Sequence, residues 1–185
     1  MTDWSAWRSS LRAALPPGLD LRDRQPADLP GLSLLYAETR ADELAATAWP
    51  ADRVAAFLHQ QFQLQHAHYE AHYPGAQWWV LEDGDGLAGR IYLWRQGSDL
   101  RLMDIALAGR WRGDGHGGRL LRALLAQADR DAVDVSLHVE VGNPIGPFYE
   151  RQGFARVEPR GPYWFMVRAP STGRAAESAT AARVS

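Results

Sequence analysis

Between Ile105 and Leu121 the chain runs from an apolar, strand-like stretch into Arg112-Gly-Asp-Gly-His-Gly-Gly118. It leaves as a run with Leu120, Leu121, Leu124, Leu125 and Ala128 on one helical face. Gly113, Gly115, Gly117 and Gly118 put four glycines in six positions, so backbone amides can approach a ligand without a Cβ in the way. The helix that follows contributes unpaired N–H groups and the positive end of its dipole at the same place. A strand, a glycine turn and a helix in that order form an anion site suited to a pyrophosphate.

Around this segment the periodicities alternate between the two regular structures. Trp4–Leu15 reads as a short helix broken by Pro16-Pro17-Gly18, and Leu19–Arg22 as a short strand. Pro26-Ala27-Asp28 opens a helix that extends to about Arg40, and Asp52–His72 forms a second, stopped by Tyr73-Pro74-Gly75. Gln77–Glu82 and Gly86–Arg95 form a hairpin across Asp83-Gly84-Asp85-Gly86, and Leu100–Leu107 is the next strand. Arg119–Arg130 is the amphipathic helix. Val133–Val141 then alternates, with valines and Leu137 on one side and Asp134, Ser136, His138 and Glu140 on the other. Pro144–Gln152 is a short helix, followed by strands Gly153–Glu158 and Tyr163–Arg168. These elements predict an α/β fold: a mixed, mostly antiparallel twisted sheet of about six or seven strands flanked by about four helices. Residues 1–18 are an N-terminal extension, 19–168 the domain, and 169–185 a disordered tail by composition.

Composition excludes several classes of function. At 185 residues, 46% hydrophobic and 23% charged, the chain has the makings of one soluble globular domain. A net charge of −2 leaves no broad basic field, which argues against nucleic-acid binding. With no cysteine there are no disulfides, thiolate nucleophiles or cysteine metal sites, in agreement with a cytoplasmic protein. No apolar run approaches the roughly 18–20 residues of a membrane span. His68 and His72, four apart on one helix, lack the acidic or cysteine partners of a metal site, so no metal is expected.

Two phosphate-binding motifs are set aside directly. The P-loop requires a lysine, and all 20 basic residues here are arginine. Gly113-x-Gly115-x-x-Gly118 satisfies the dinucleotide pattern, but it follows meandering strands instead of opening a βαβ unit. Instead, Arg112-x-x-Gly115-x-Gly117 resembles the acetyl-coenzyme A signature of the GNAT superfamily of N-acetyltransferases. Leu137-His-Val-Glu-Val-Gly-Asn-Pro144 followed by Phe148-Tyr-Glu-Arg-Gln-Gly-Phe154 resembles its second motif. The chain departs from the family pattern at Asp114 and His116, at Gly146-Pro147, and by one residue fewer between Asn143 and Tyr149.

The resemblance implies a sheet splayed between its two central strands and acetyl-CoA as co-substrate. Ile105, Ala106 and Leu107 would pair main chain with the pantetheine. Arg112, Gly113, Asp114, Gly115, His116, Gly117 and Gly118 would form the pyrophosphate cradle, and Asn143 would meet the cofactor arm. Tyr149 would be the general acid for the departing thiolate. Amine attack on a thioester also needs a base. His138 and Glu140 on the polar strand face, Asp104 as the lone carboxylate of an apolar strand, and relayed water all remain candidates. The acceptor is a small-molecule or peptide amine, which Glu38, Asp42 and Glu43 in the link 37–50 would attract; a homodimer is compatible with the pattern. Two other readings stand beside the enzyme: a non-catalytic acyl-CoA-binding module, and a toxin-type acetyltransferase acting on aminoacyl-tRNA. The lack of basic surface opposes the second.

Overall fold

A computed structural model describes residues 2–45 and 47–171, without the side chains of residues 42, 43 and 45. The elements are α1 (Ser5–Ala13), β1 (Asp20–Asp23), α2 (Leu29–Ala45), α3 (Ala51–His72), β2 (Gln77–Asp83), β3 (Gly86–Gln96), β4 (Asp99–Leu107), α4 (His116–Asp131), β5 (Asp134–Glu140), α5 (Gly146–Arg151), β6 (Ala155–Arg160) and β7 (Tyr163–Arg168). The seven strands form one mixed, mostly antiparallel open sheet in the order β1-β2-β3-β4-β5-β7-β6.

Turn chemistry sets the local connections. At the β2–β3 hairpin Asp85 N–H donates to Asp83 Oδ1 (2.8 Å) and Gly86 has φ +112°. At the next turn Gly97 has φ +60°. Such left-handed positions are strained for any residue bearing a Cβ. After α4 the chain adds β5 in parallel to β4 through Asp99↔Asp134, Leu100↔Val135 and Arg101↔Ser136, the pairs formed among the described residues. Both strands continue, to Leu107 and Glu140. On its other edge β5 pairs antiparallel with β7 from Val135↔Arg168 to Glu140↔Tyr163.

The described residues cluster into two compact units, with β3 and β4 contributing to both. In one, α2 and α3 pack on Val80 of β2, and Leu32, Leu35, Tyr36, Leu58, Phe62 and Val80 form a core cluster. In the other, α1, α4 and β5–β7 bury Trp7, Leu11, Leu120, Leu124, Val135 and Met166.

Several boundaries differ from the expected ones. Helix α2 continues past Arg40 to Ala45, because Ala41-Asp-Glu-Leu-Ala45 contains no breaker. The link predicted there is therefore largely helix, while the side chains of Asp42 and Glu43 lie outside the described residues. Val141 does not share the buried face of β5. It is 55% exposed, in a turn that Gly142 enters at φ +84°. That turn delays α5 to Gly146, and Gly153 (φ +93°) ends it, so β6 starts at Ala155. The tail expectation for residues 172–185 also lies outside the described residues. No described helix is long and apolar enough to cross a membrane.

The extension at the start of the chain is tied to the end of α4. Trp7 is fully buried, and its Nε1–H donates to Asp131 Oδ2 (2.9 Å). Ser10 donates to Gln127 Oε1 (3.0 Å) and accepts from Arg130 (2.6 Å). Trp7→Ala removes a large buried ring and orphans part of the Asp131 cluster. It should lower unfolding free energy by about 3–5 kcal/mol, read as a drop in the urea midpoint. A midpoint equal to wild type would show that α1 is dispensable to the fold.

Candidate functional site

The glycine segment is held in place from behind. Gly109–Trp111 makes one 3₁₀ turn, Arg112 is extended, and the chain then passes Gly113 (φ +94°) and Gly115 (φ +75°) into α4. Asp83, at the end of β2, accepts from Arg110 Nε (2.9 Å) and Trp111 Nε1 (2.6 Å). The Arg110 and then the Trp111 hydrogen bonds hold its carboxyl well below the usual carboxylate range. Glu38, from α2, accepts from the Gly109 N–H and lies 3.6 Å from Arg112 Nη2. Arg112 Nε donates to the Leu107 carbonyl (2.7 Å). Thus Arg112 braces the loop against the end of β4, and Glu38 serves the loop where the sequence suggested an acceptor-facing carboxylate.

The outward side of the loop is open. A Cβ added at Gly113 or Gly115 would meet nothing within 4 Å, and one at Gly117 only Leu107 Cδ1 at 3.8 Å. At Gly118 it would crowd Arg122 at 3.3 Å. The positive φ angles, not crowding, demand glycine at 113 and 115. Asp114 is exposed; His116 is half-buried with its ring edge-on to Trp111 at 5.6 Å. Ile105 and Ala106 are half-buried, whereas Leu107 is buried. The Ala106 carbonyl lies so close to Gly89 that a Cβ there would sit 2.6 Å away, so β3 needs a glycine at this point.

Asp104 is not a lone carboxylate. Arg90, from β3, is 2% exposed and donates from Nη2 to Asp104 Oδ2 (2.6 Å) and Gln65 Oε1 (3.3 Å). The Tyr36 and Tyr92 rings flank this guanidinium at 5.9 and 5.5 Å. The charge that appeared isolated in sequence is therefore matched from the neighbouring strand.

In the other unit, the polar side of β5 is occupied by a network. Arg101 donates from Nε to Ser136 Oγ (2.8 Å) and from Nη1 to His138 Nδ1 (2.9 Å), and Ser136 Oγ donates to Asp99 (2.9 Å). A guanidinium only donates, so Nδ1 accepts and the neutral ring carries its proton on Nε2. His138 is exposed on one side, but the Phe165 and Tyr163 rings strip water from the other; this desolvation, then the positive charges of Arg101 and Arg160, presses its pKa down to about 4. His138 is thus neutral at pH 7 with its basic lone pair engaged, a poor arrangement for a general base. Glu140 is half-buried at the end of β5, opposite Tyr163 of β7. Asn143 turns the chain: its N–H donates to the Glu140 carbonyl and its Oδ1 accepts from Ile145 N–H, both at 3.0 Å. Tyr149 is half-buried on α5, edge-on to Phe148 (5.6 Å) and Phe154 (5.7 Å).

Asp104, Ile105–Leu107 and Arg112–Gly117 therefore share one unit; Gly118, His138, Glu140, Asn143 and Tyr149 belong to the other. The histidines of α3 have separate uses: His66 faces Arg24 and Glu70, and the His68 and His72 rings stack at 4.2 Å. No group of three metal-ligating side chains occurs among the described residues. Sequence reasoning missed Arg90, Arg101 and the loop-bracing role of Glu38. Only Arg90 had a visible signal: it is the one charge in the apolar run Leu87–Trp94, on the same hairpin as Asp104.

Comparison with known proteins bears on the fold and the family. The model of the acetyltransferase (GNAT) domain family matches residues 41–162. The PaiA N-acetyltransferase of Thermoplasma acidophilum, solved in complex with coenzyme A, superposes with a TM-score of 0.60 at 16% identity, covering 82% of this chain and 98% of its own. An acetyltransferase from Streptococcus agalactiae gives 0.59 at 18% identity over 83% and 99%. One from Thermus thermophilus gives 0.57 at 22% over 82% and 96%. At these identities the likeness is one of fold. No curated protein sequence matches the chain.

The His138 environment makes a prediction about acid stability. Its pKa is depressed from 6.5 to about 4 on folding, so as pH falls the unfolded chain takes up the proton first. The stability tied to this group is present above pH 6.5 and is lost as pH falls through about 4. His138→Gln keeps an acceptor for Arg101 but does not titrate. The wild-type melting temperature should fall more steeply than the variant's across that window; parallel curves would contradict the lowered pKa of this ring.

Proposed function

Because the chain belongs to the GNAT acetyltransferase family, we propose that it moves the acetyl group of acetyl-CoA to a primary amine by direct attack on the thioester. The observation that carries this reading is the braced loop, whose two left-handed glycines lead into the first turn of α4 with open space over them. Amides from Gly113 to Gly118 and the positive end of α4 hold the pyrophosphate. The main chain of Ile105 and Ala106 lies along the pantetheine, as an added strand would. Arg112 keeps the loop in register, and Asn143, its Oδ1 already engaged, offers its side-chain N–H groups to the cofactor arm. The coenzyme A complex of the PaiA relative supports the choice of co-substrate.

In the reaction the amine nitrogen forms a bond to the acetyl carbon and the carbon–sulfur bond breaks. The proton lost by nitrogen passes to Asp104, to Glu140 or through water. His138 is set aside because its acceptor nitrogen already faces a guanidinium. Tyr149 returns a proton to the thiolate, and its two edge-on phenylalanines keep the ring in one orientation. The catalytic domain spans residues 19–168, and α1 braces it.

Two measurements test this. Acetyl-CoA should raise the melting temperature of the wild type by mass action. Gly117→Val, whose Cβ meets only an ordinary contact in the protein itself, should melt like wild type without ligand and lose that increase. Retention of the full increase would refute the cradle. Tyr149→Phe should cut kcat by on the order of 10²–10⁴ and barely change acetyl-CoA affinity, because its bond strengthens only as charge develops on sulfur. Full kcat in that variant would assign the proton to another donor.

A further inference from the structure

The arginines of this chain are mostly matched to acids. Arg22, Arg90, Arg110 and Arg168 each face a carboxylate at 2.6–2.9 Å. Arg119 and Arg122 are different: neither makes a hydrogen bond or ion pair among the described residues. Of the others without an acid, Arg53 lies on the Trp49 ring at 4.3 Å and Arg151 stands in the last turn of α5.

The position of Arg119 and Arg122 makes this unfavourable for the free protein. They are the fourth and seventh residues of α4, three apart and therefore on one face, where like charges repel. Arg119 also stands in the first turn, whose partial positive charge disfavours a cation, and no acidic residue accompanies it there. The places three and four positions from either arginine hold Gly115, His116, Gly118, Ala123, Leu125 and Ala126, so the helix supplies no counter-ion. Asp114, the nearest acid in sequence, pairs with neither.

Both charges are nevertheless directed at one place. Long helical side chains lean toward the N-terminus of their helix, which carries the two guanidiniums back toward the glycine segment. For Arg122 the contact is visible: a Cβ added at Gly118 would meet its Nη1 at 3.3 Å and the Phe148 ring at 3.7 Å. Both arginines are exposed, so a ligand can reach them. Two guanidiniums without a counter-ion, each with a fork of donors, suit a compact dianion. A phosphate monoester carries about −1.5 to −2 charges and three acceptor oxygens. Coenzyme A has one such group besides its pyrophosphate, the 3′-phosphate, and only a ribose separates the two.

We infer that Arg119 and Arg122 form a subsite for the 3′-phosphate of the cofactor nucleotide. This rests on the acetyl-CoA reading above and adds selection for the phosphorylated nucleotide. The two side chains make the subsite, and the dianion between them relieves their repulsion. Both are then specificity-determining residues for the acyl donor.

The test compares acetyl-CoA with acetyl-3′-dephospho-CoA, which lacks only that phosphate, by calorimetric titration of the full chain. Wild type should bind acetyl-CoA about 10- to 100-fold more tightly, the range of a charged hydrogen bond. The preference should shrink as salt rises, because both arginines are exposed. Arg119→Met combined with Arg122→Met should weaken acetyl-CoA until the two donors bind alike. Neither side chain holds a partner in the free protein, so this variant should melt no lower than wild type without ligand. A wild type that binds both donors alike, or a preference that survives the double substitution, overturns the subsite. So does an equal loss of affinity for both donors, which would place the arginines on the pyrophosphate instead. In each of these cases binding of the dephospho donor to wild type leaves the cradle standing. If neither donor binds to wild type, the acetyl-CoA reading falls and the subsite falls with it.

Discussion

Asp83 and Glu38 hold a loop that cannot hold itself. The segment from Gly109 to Gly115 turns between β4 and α4 through two left-handed glycines, and the cradle role we propose for it requires amides that point outward. Groups reserved for an anion are unavailable for internal bonding, so the loop takes its position from side chains behind it. Asp83 does this through Arg110 and Trp111, and Glu38 through Gly109 and Arg112. Preorganisation of this kind matters because donors already in place do not have to be gathered when charge arrives. Both carboxylates come from elements distant in sequence, β2 and α2, so the cradle depends on those elements being correctly packed.

The second organising feature is the Arg90–Asp104 pair, which stability alone does not explain. Taking two charges out of water costs several kcal/mol per ion, and the mutual attraction repays this only with good geometry and full hydrogen bonding. Here one contact is short, at 2.6 Å, while Nε and Nη1 meet no acceptor among the described residues. Apolar residues of similar size would fill the same space at no greater cost. Gln65 and the Tyr36 and Tyr92 rings enclose the pair, so its geometry is fixed by elements far apart in sequence.

The polar row of β5 shows why alternation of residue type is an incomplete guide. Asp134, Ser136, His138 and Glu140 suggested a face open to solvent and free for proton transfer. Ser136 is fully buried and joins Arg101 to Asp99, and Arg101 also engages His138. Because β7 folds back between β5 and β6, Phe165 and Tyr163 come to lie against the imidazole. Desolvation on that side and two guanidinium groups then keep the ring neutral. A histidine that looked like a base is thus engaged mainly as an acceptor.

The local elements, the hairpins, the glycine loop and the family were all determined by the sequence alone, because each depends on short-range signals. Glycines at 113 and 115 are needed for their φ angles, and the period of apolar residues marks α4 and β5 whatever surrounds them. Boundaries moved where turn geometry outweighed pattern, as at Val141 and Gly153, where no breaker stopped a helix, as beyond Arg40 in α2, and where α4 took in His116 to Gly118 ahead of Arg119. Tertiary structure decided the partners of charged side chains. Glu38 meets Gly109 across 71 positions and Arg101 meets His138 across 37. No local pattern encodes such pairings, since one side chain's electrostatic surroundings are fixed by whichever strands and helices folding brings beside it.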